Sequence, residues 1–234
     1  LPKVIPVQTG IQQAKFIVSR MQELYDEGSL WKQMAVLYRA HYHSMEIQME
    51  MTRAGIPFKI TSGLRFFEQA HVKDVGAFLK FIVNPRDEIA FKRMVKLLPG
   101  IGTRSADNLW KSVAAIGQEA LDARANPLES FSFSASFSSL KVPSRSMNAW
   151  KQLGHTLEEI APHGKPTSPS RMIQSVREAV YDDYARTQFP DYDARREDLN
   201  TLSQFASQYS STDEFLDQMA LMTNADQNAP ADGF

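Results

Sequence analysis

Residues 98–105, Leu-Pro-Gly-Ile-Gly-Thr-Arg-Ser, carry the sharpest local chemistry in the chain. Glycine has no side chain, so at Gly100 and Gly102 backbone N–H groups can approach an anion unobstructed. The stretch from Ser105 to Val113 reads as a helix, and its N-terminus would aim free N–H groups and partial positive charge at that anion. Ile101 would anchor the bend in the core, while Thr103 and Ser105 can cap the helix or donate to phosphate oxygens. Two amphipathic helices joined by Pro-Gly-apolar-Gly form a helix-hairpin-helix-like pattern, which reads the shape of a nucleic-acid backbone rather than its bases. A plain helix–helix turn, where glycine is also common, has the same composition.

A second set lies upstream, in Gly63-Leu64-Arg65-Phe66-Phe67-Glu68 and Val72-Lys73-Asp74. Lys73 and Lys80 are seven residues apart and would share one helix face, with Val75, Phe78 and Ile82 largely on the other. Such lysines, with Arg65, can follow a phosphate backbone and add salt-sensitive affinity; ordinary solvated lysines have the same spacing. Phe66 and Phe67 are able to stack on bases, but the core is the more usual place for such a pair.

Other chemistries find little support. Gly164-Lys165 is followed by Pro166 and lacks the upstream glycine of a phosphate loop. His41 and His43 would share a strand face without further metal ligands. Asp182-Asp183 and Arg195-Arg196-Glu197-Asp198 read as solvated helix faces with local ion pairs. No Ser-His-Asp arrangement can be argued from the sequence. The absence of cysteine excludes disulfides and thiolate chemistry and fits a cytoplasmic setting. No apolar run is long enough to span a membrane, and the start of the chain lacks the pattern of a signal peptide.

The net charge of -1 hides an asymmetry. Residues 59–111 hold 10 Lys/Arg against 5 Asp/Glu; subtracted from totals of 26 and 27, these leave 16 against 22 elsewhere. A basic segment inside an acidic chain fits a localised phosphate-binding face, and equally a fluctuation among solvated helices.

The elements that would position these residues are mostly helical. The first sixty residues suggest a small α/β piece. Strand candidates are an edge strand at 3–7, a buried strand at 34–38 and a third at 57–61. Helical spacing runs over 12–25 and 44–54, the latter ending at Gly55. Beyond Gly63 the periodicity is helical throughout. Asp87 is placed to cap one helix, Ser168-Pro169 to begin another, and Ser211 with Glu214 has capping-box spacing. Along these helices Met147, Trp150, Leu153, Leu157 and Ile160 form one stripe, and Met172, Ile173, Val176, Val180 and Tyr184 another. The Ser- and Phe-rich stretch 126–146 reads as a long loop or short helices, and 224–234 as linker or tail.

The ordered blocks resemble the UvrD/Rep/PcrA group of superfamily 1 ATP-dependent DNA helicases. They are Ala35-Val36-Leu37-Tyr38-Arg39, Ala54-Gly55-Ile56-Pro57-Phe58-Lys59-Ile60, Gly63 to Glu68, Val72-Lys73-Asp74, Phe78-Leu79-Lys80, Asn84-Pro85-Arg86-Asp87, Ala90-Phe91 and Pro99-Gly100-Ile101-Gly102. Tyr192-Asp193-Ala194-Arg195-Arg196-Glu197-Asp198-Leu199 resembles the family's R-x-E-N-L helix, with Asp198 where Asn is usual; in the E-I-K-D block His71 stands where the family has Glu. The resemblance implies that residues 1–61 are part of the RecA-like subdomain 2A, 62–222 the helical, duplex-contacting subdomain 2B, and 223–234 linker. It places duplex contacts at Gly100, Ile101, Gly102, Thr103, Ser105, Lys73, Lys80 and Arg65. It further implies double-stranded DNA at a fork or junction and the remaining helicase subdomains as partners, and no membrane. ATP and Mg²⁺ would belong to the parent helicase. This segment lacks the phosphate loop, the acidic box and the Q-x-Y-R segment, so it is expected neither to bind nor to hydrolyse ATP. The alternative is a regulatory, protein-binding helical domain with little DNA affinity of its own.

Overall fold

The computed structural model describes residues 2–39, 41–60, 66–126 and 131–224, and these are mainly helical. The chain divides into two compact units: Leu1–Gln69 with Gln218–Phe234, and Ala70–Asp217.

In the first unit, α1 (Gly10–Asp26) packs on α2 (His41–Arg53). The Thr9 hydroxyl caps α1 by accepting from the Gln12 amide. Gly55, at φ +65, ends α2 as the sequence suggests. The Ile56 amide donates back to the Met51 carbonyl at 2.9 Å, and Ile56 enters the core formed by Ala14, Val18, Met21, Ile47 and Met51.

The expected α/β piece takes another form. Residues 34–38 and 56–60 are non-helical and alternate between packed and exposed positions, with Met34, Val36 and Phe58 against the core. That is the period-two pattern of a strand. A strand, however, needs a ladder partner, and no strand is assigned among the described residues. Nor is residue 37 buried as the apolar run suggests, since Leu37 is 95% exposed. Residues 3–7 are exposed and have no regular structure. His41 and His43 fall in the first turn of α2, not on a strand.

The second unit begins with α3 (Ala70–Val83) and α4 (Glu88–Val95). Asp87 caps α4, its Oδ1 accepting from the Ala90 amide at 2.9 Å. Then come α5 (Thr103–Ala125), the short α6 (Phe133–Ser138) and α7 (Met147–Ile160). Val72, Phe78, Leu79, Phe81 and Ile82 of α3 are fully or almost fully buried. The Ser-rich stretch thus holds short helices, and α6 drives Phe133 and Phe137, four residues apart, into an aromatic core. Phe137 stacks on Trp150, ring centroids 5.1 Å apart, and the Trp150 indole N–H donates to the Phe137 carbonyl at 2.8 Å. Met147, expected in the same stripe as Trp150, is exposed.

Next are α8 (Pro169–Val176), a π-helical turn (Arg177–Tyr181) and α9 (Asp182–Gln188). The π turn alters the predicted stripe. Five-residue spacing brings Tyr181 and Ala185 into the core, where α-helical spacing selects Val180 and Tyr184, which are only half-buried. The chain continues through α10 (Tyr192–Ala206) and α11 (Thr212–Asn224), and the boundary between the units falls within α11. The Ser211 hydroxyl accepts from the Glu214 amide at the start of α11, as its spacing suggests. The Phe66 and Phe67 side chains are buried, so they are core residues rather than stacking platforms.

Candidate nucleic-acid interface

Residues 96–102 join α4 to α5 and lie at the surface of the second unit. Ile101 is 5% exposed and anchors the bend, while Gly102, Thr103 and Arg104 are exposed and Gly100 and Ser105 half-buried. Helix α5 begins at Thr103, so Thr103 and Ser105 occupy its first turn instead of capping it. The cap position is Gly102, which has no side chain to satisfy the first amides of α5.

The two glycines answer different needs. Gly100 has φ +82, a conformation that disfavours any residue with a Cβ. A Cβ built there would also lie 2.7 Å from Cδ of Arg145. Gly102 is extended, at φ -92 and ψ -176, and a Cβ there would meet nothing within 4 Å. The fold of the unit therefore requires glycine at 100 and leaves open space at 102.

The charged side chains around the bend sort themselves by pairing. Asp74 binds Arg93, Asp87 caps α4, and Glu88 and Asp107 both hold Lys92 at 2.5 Å. Hydrogen bonds from Lys92, first to Asp107 and then to Glu88, raise its pKa. Each carboxylate between residues 70 and 111 is thus engaged locally, whereas Lys73, Lys80, Lys96, Arg104 and Lys111 are exposed. The positive balance of this segment is presented outward.

The Arg93 side chain fixes how α3 and α4 lie. Its Nε donates to Asp74 Oδ1 at 2.7 Å and its Nη2 to the Ala70 carbonyl at 3.3 Å, so the start of α3 sits beside the end of α4. Lys73 therefore belongs to the end of the helix pair from which the bend departs. Lys80 lies about 10 Å farther along the axis at 1.5 Å per residue. The bend holds Gly100, Ile101, Gly102, Thr103 and Ser105 together as neighbours in sequence, while Lys73 and Lys80 lie exposed near the two ends of α3. Arg65 lies outside the described residues.

No local pattern marks Arg145. It comes from the turn before α7, its side chain lies across Gly100, and its Nη2 donates to the Gly100 carbonyl at 3.3 Å. The neighbouring Ser146 hydroxyl donates to the Pro99 carbonyl at 2.7 Å, fastening this turn to the bend. Beside the bend runs a groove of about 920 Å³, lined among others by Leu98, Asn148, Gln152, Val180, Asp183 and Tyr184.

Behind this surface lies a buried polar cluster. Asp74 also accepts from the Tyr181 hydroxyl at 3.1 Å, and burial, reinforced by the Asp74 charge, pushes the Tyr181 pKa up. His71, 1% exposed, sits between Asp198 Oδ2 at 3.0 Å from Nε2 and Arg195 Nη1 at 3.1 Å from Nδ1. Arg195 is donor-only, so Nδ1 accepts and Nε2–H donates to Asp198, the neutral tautomer that satisfies both nitrogens. Asp198 is 6% exposed, which corrects the reading of residues 195–198 as a wholly solvated face. Only Arg195–Asp191 and Arg196–Asp193 are local pairs of the expected kind. No group of three His, Asp or Glu suited to a metal ion is found among the described residues, and none of their helices is long and apolar enough to cross a membrane.

A family model described as "UvrD-like helicase C-terminal domain" matches residues 2–224. Among curated proteins, the chain is 35% identical over 121 residues to DNA helicase II of Haemophilus influenzae, covering 47% of this chain and 17% of that protein. It is 31% identical over 121 residues to DNA helicase II of Escherichia coli, with the same coverage of 47% and 17%. It is 33% identical over 104 residues to the ATP-dependent DNA helicase PcrA of Leuconostoc citreum, covering 44% of the chain and 14% of the relative. The matched region is thus less than a fifth of each of these relatives.

Proposed function

Because the chain belongs to the UvrD-like helicase C-terminal domain family, we propose that it is a segment of an ATP-dependent 3′-to-5′ DNA helicase whose helical part binds the DNA backbone. In this reading residues 62–222 form a 2B-like domain that grips duplex DNA without regard to sequence and regulates unwinding. Residues 1–61 are part of a RecA-like 2A subdomain, whose extended, period-two segments suit strands of a sheet. The bend at 99–102 acts as a helix-hairpin-helix-like phosphate clamp. Lys73, Lys80 and Arg65 add salt-sensitive affinity for the backbone. The partners are double-stranded DNA at a fork or junction and the other helicase subdomains, in the cytoplasm.

The observation that carries the reading is the space at Gly102. Nothing in the unit would meet a Cβ there, yet the position opens α5 with uncapped amides amid exposed cations. A glycine that the fold does not need suits a surface approached closely by an external phosphate. ATP and Mg²⁺ belong to the motor halves of the parent. The sequence here has no phosphate loop, so no step of this reading passes through them.

Fluorescence anisotropy of the chain with a labelled duplex, titrated across NaCl concentrations, tests the proposal. Expected is weak, sequence-independent binding that falls steeply with salt. Binding insensitive to salt overturns it. A second reading, a protein-docking domain, draws on the groove next to the bend; absence of duplex binding even at low salt favours it.

A further inference from the structure

We propose that Arg145 is a phosphate-contacting residue that completes the glycine bend from 45 residues away in the sequence. The inference rests on the duplex-binding reading above and assigns to it a residue that no motif marks.

The geometry has three parts. First, the Arg145 side chain occupies the space that a Cβ at position 100 would fill. Its Cγ and Cδ each lie 2.7 Å from that point, and its Nε lies closer still. The missing side chain at Gly100 therefore makes room for an arginine as well as relieving a positive φ. Second, the turn that carries Arg145 is fixed against the bend. Ser146 is fully buried, and its hydroxyl donates to the Pro99 carbonyl at 2.7 Å. Third, Arg145 is exposed, and its one hydrogen bond to the bend, Nη2 to the Gly100 carbonyl, is long at 3.3 Å. A guanidinium has five N–H donors in a planar fork, so this exposed one keeps donors to spare beyond its bond to Gly100.

An arginine held in this way suits a phosphate diester, whose oxygens accept a two-pronged donor. The acidic side chains near the bend do not compete strongly. Asp107 is taken by Lys92, and Asp183, which lines the same groove as Arg145, forms no ion pair with it. The ligand class is therefore the nucleic-acid backbone, approached at one point by amides of the bend and by a fork from a different helix.

The test compares wild type, Arg145→Ala and Arg145→Lys for binding to two labelled duplexes of unrelated sequence across a series of NaCl concentrations. Arg145→Ala should bind both duplexes several-fold more weakly, with a log–log salt slope lower by about one. Arg145→Lys, which keeps the charge and the packing stem but loses the fork, should fall between. Gly100→Ala should cost more affinity in wild type than in the Arg145→Ala background, because the collision with the guanidinium is then gone. If wild type binds with steep salt dependence and Arg145→Ala matches it in affinity and slope, the role of Arg145 is overturned while duplex binding stands. If wild type shows no salt-sensitive binding, duplex binding itself fails and the role of Arg145 with it. Thermal melts followed by circular dichroism guard against a folding defect: Arg145→Ala should melt as wild type does, and a loss of affinity that only tracks a lowered melting temperature, with the wild-type salt slope, overturns the role of Arg145.

Discussion

The bend at residues 99–102 and the cluster around Asp74 and His71 lie in the same unit and use charge in opposite ways. At the cluster, Asp74, Arg93 and Tyr181, and His71, Asp198 and Arg195, take up one another's donors and acceptors. At the bend, amides and cations face outward with few internal partners. Groups satisfied inside the protein hold the fold and have little to give a ligand. Groups left unsatisfied at the surface contribute little to the fold and are available for binding. The two regions should therefore separate in experiment: mutations in the cluster should move stability and leave the salt slope alone, and those at the bend should do the reverse.

The largest effect is expected at Asp74→Ala. It leaves the buried Tyr181 hydroxyl without its acceptor and the partly exposed Arg93 guanidinium without its carboxylate, a loss of about 3 kcal/mol, most of it from the stranded hydroxyl. Urea unfolding followed by circular dichroism should show it, with an unchanged salt slope for the fraction that remains folded. His71→Ala should follow at about 2–3 kcal/mol, since it strands the buried Asp198. Gly100→Ala is the hinge of the comparison: its positive φ should cost about 1–2 kcal/mol of stability, and duplex affinity should fall as well. Gly102→Ala should leave unfolding within about 0.5 kcal/mol of wild type while weakening duplex binding several-fold; equal binding would remove the main support for the clamp. Smaller still is the effect of Lys73→Ala, with an unaltered melting temperature and a salt slope lower by about one. Lys80→Ala, farther from the bend, should change the slope less.

The local parts of this architecture were legible and the long-range parts were not. Asp87 as a cap, Gly55 as a helix end and the apolar stripe of α3 each depend on neighbours within a few residues, and each appears where spacing places it. The glycine bend, with Ile101 as its buried anchor, follows from types and spacing, but the Arg145 side chain across it does not. Nothing around residue 145 signals that its side chain will lie over residue 100. The same holds for Arg124, which donates to the Val83 carbonyl at 3.0 Å and also holds Ile82 and Gly164; partial burial lowers its pKa. His71 and Asp198 each depart from the family pattern, and the structure shows them in contact 127 residues apart. Two substitutions that look like losses when read singly form one complementary pair in space. The strands expected at 3–7, 34–38 and 57–61 are not paired among the described residues for a related reason: alternation specifies a face, and a ladder needs a partner that no local pattern can supply.

The π turn at Arg177–Tyr181 also bears on how this chain tolerates changes in its length. A π turn is an α-helix with one residue too many, so removing Ala179 would leave Val176 and Tyr181 four positions apart and still on one side of a regular helix. The phenol would keep facing Asp74, and α9 would keep its register. A deletion within Asp182–Tyr184 would instead rotate everything beyond it by roughly 100°, the angle of one residue at 3.6 per turn, and pull Ala185 out of the core. The extra residue is thus a place where sequences of unequal length can share one packing arrangement.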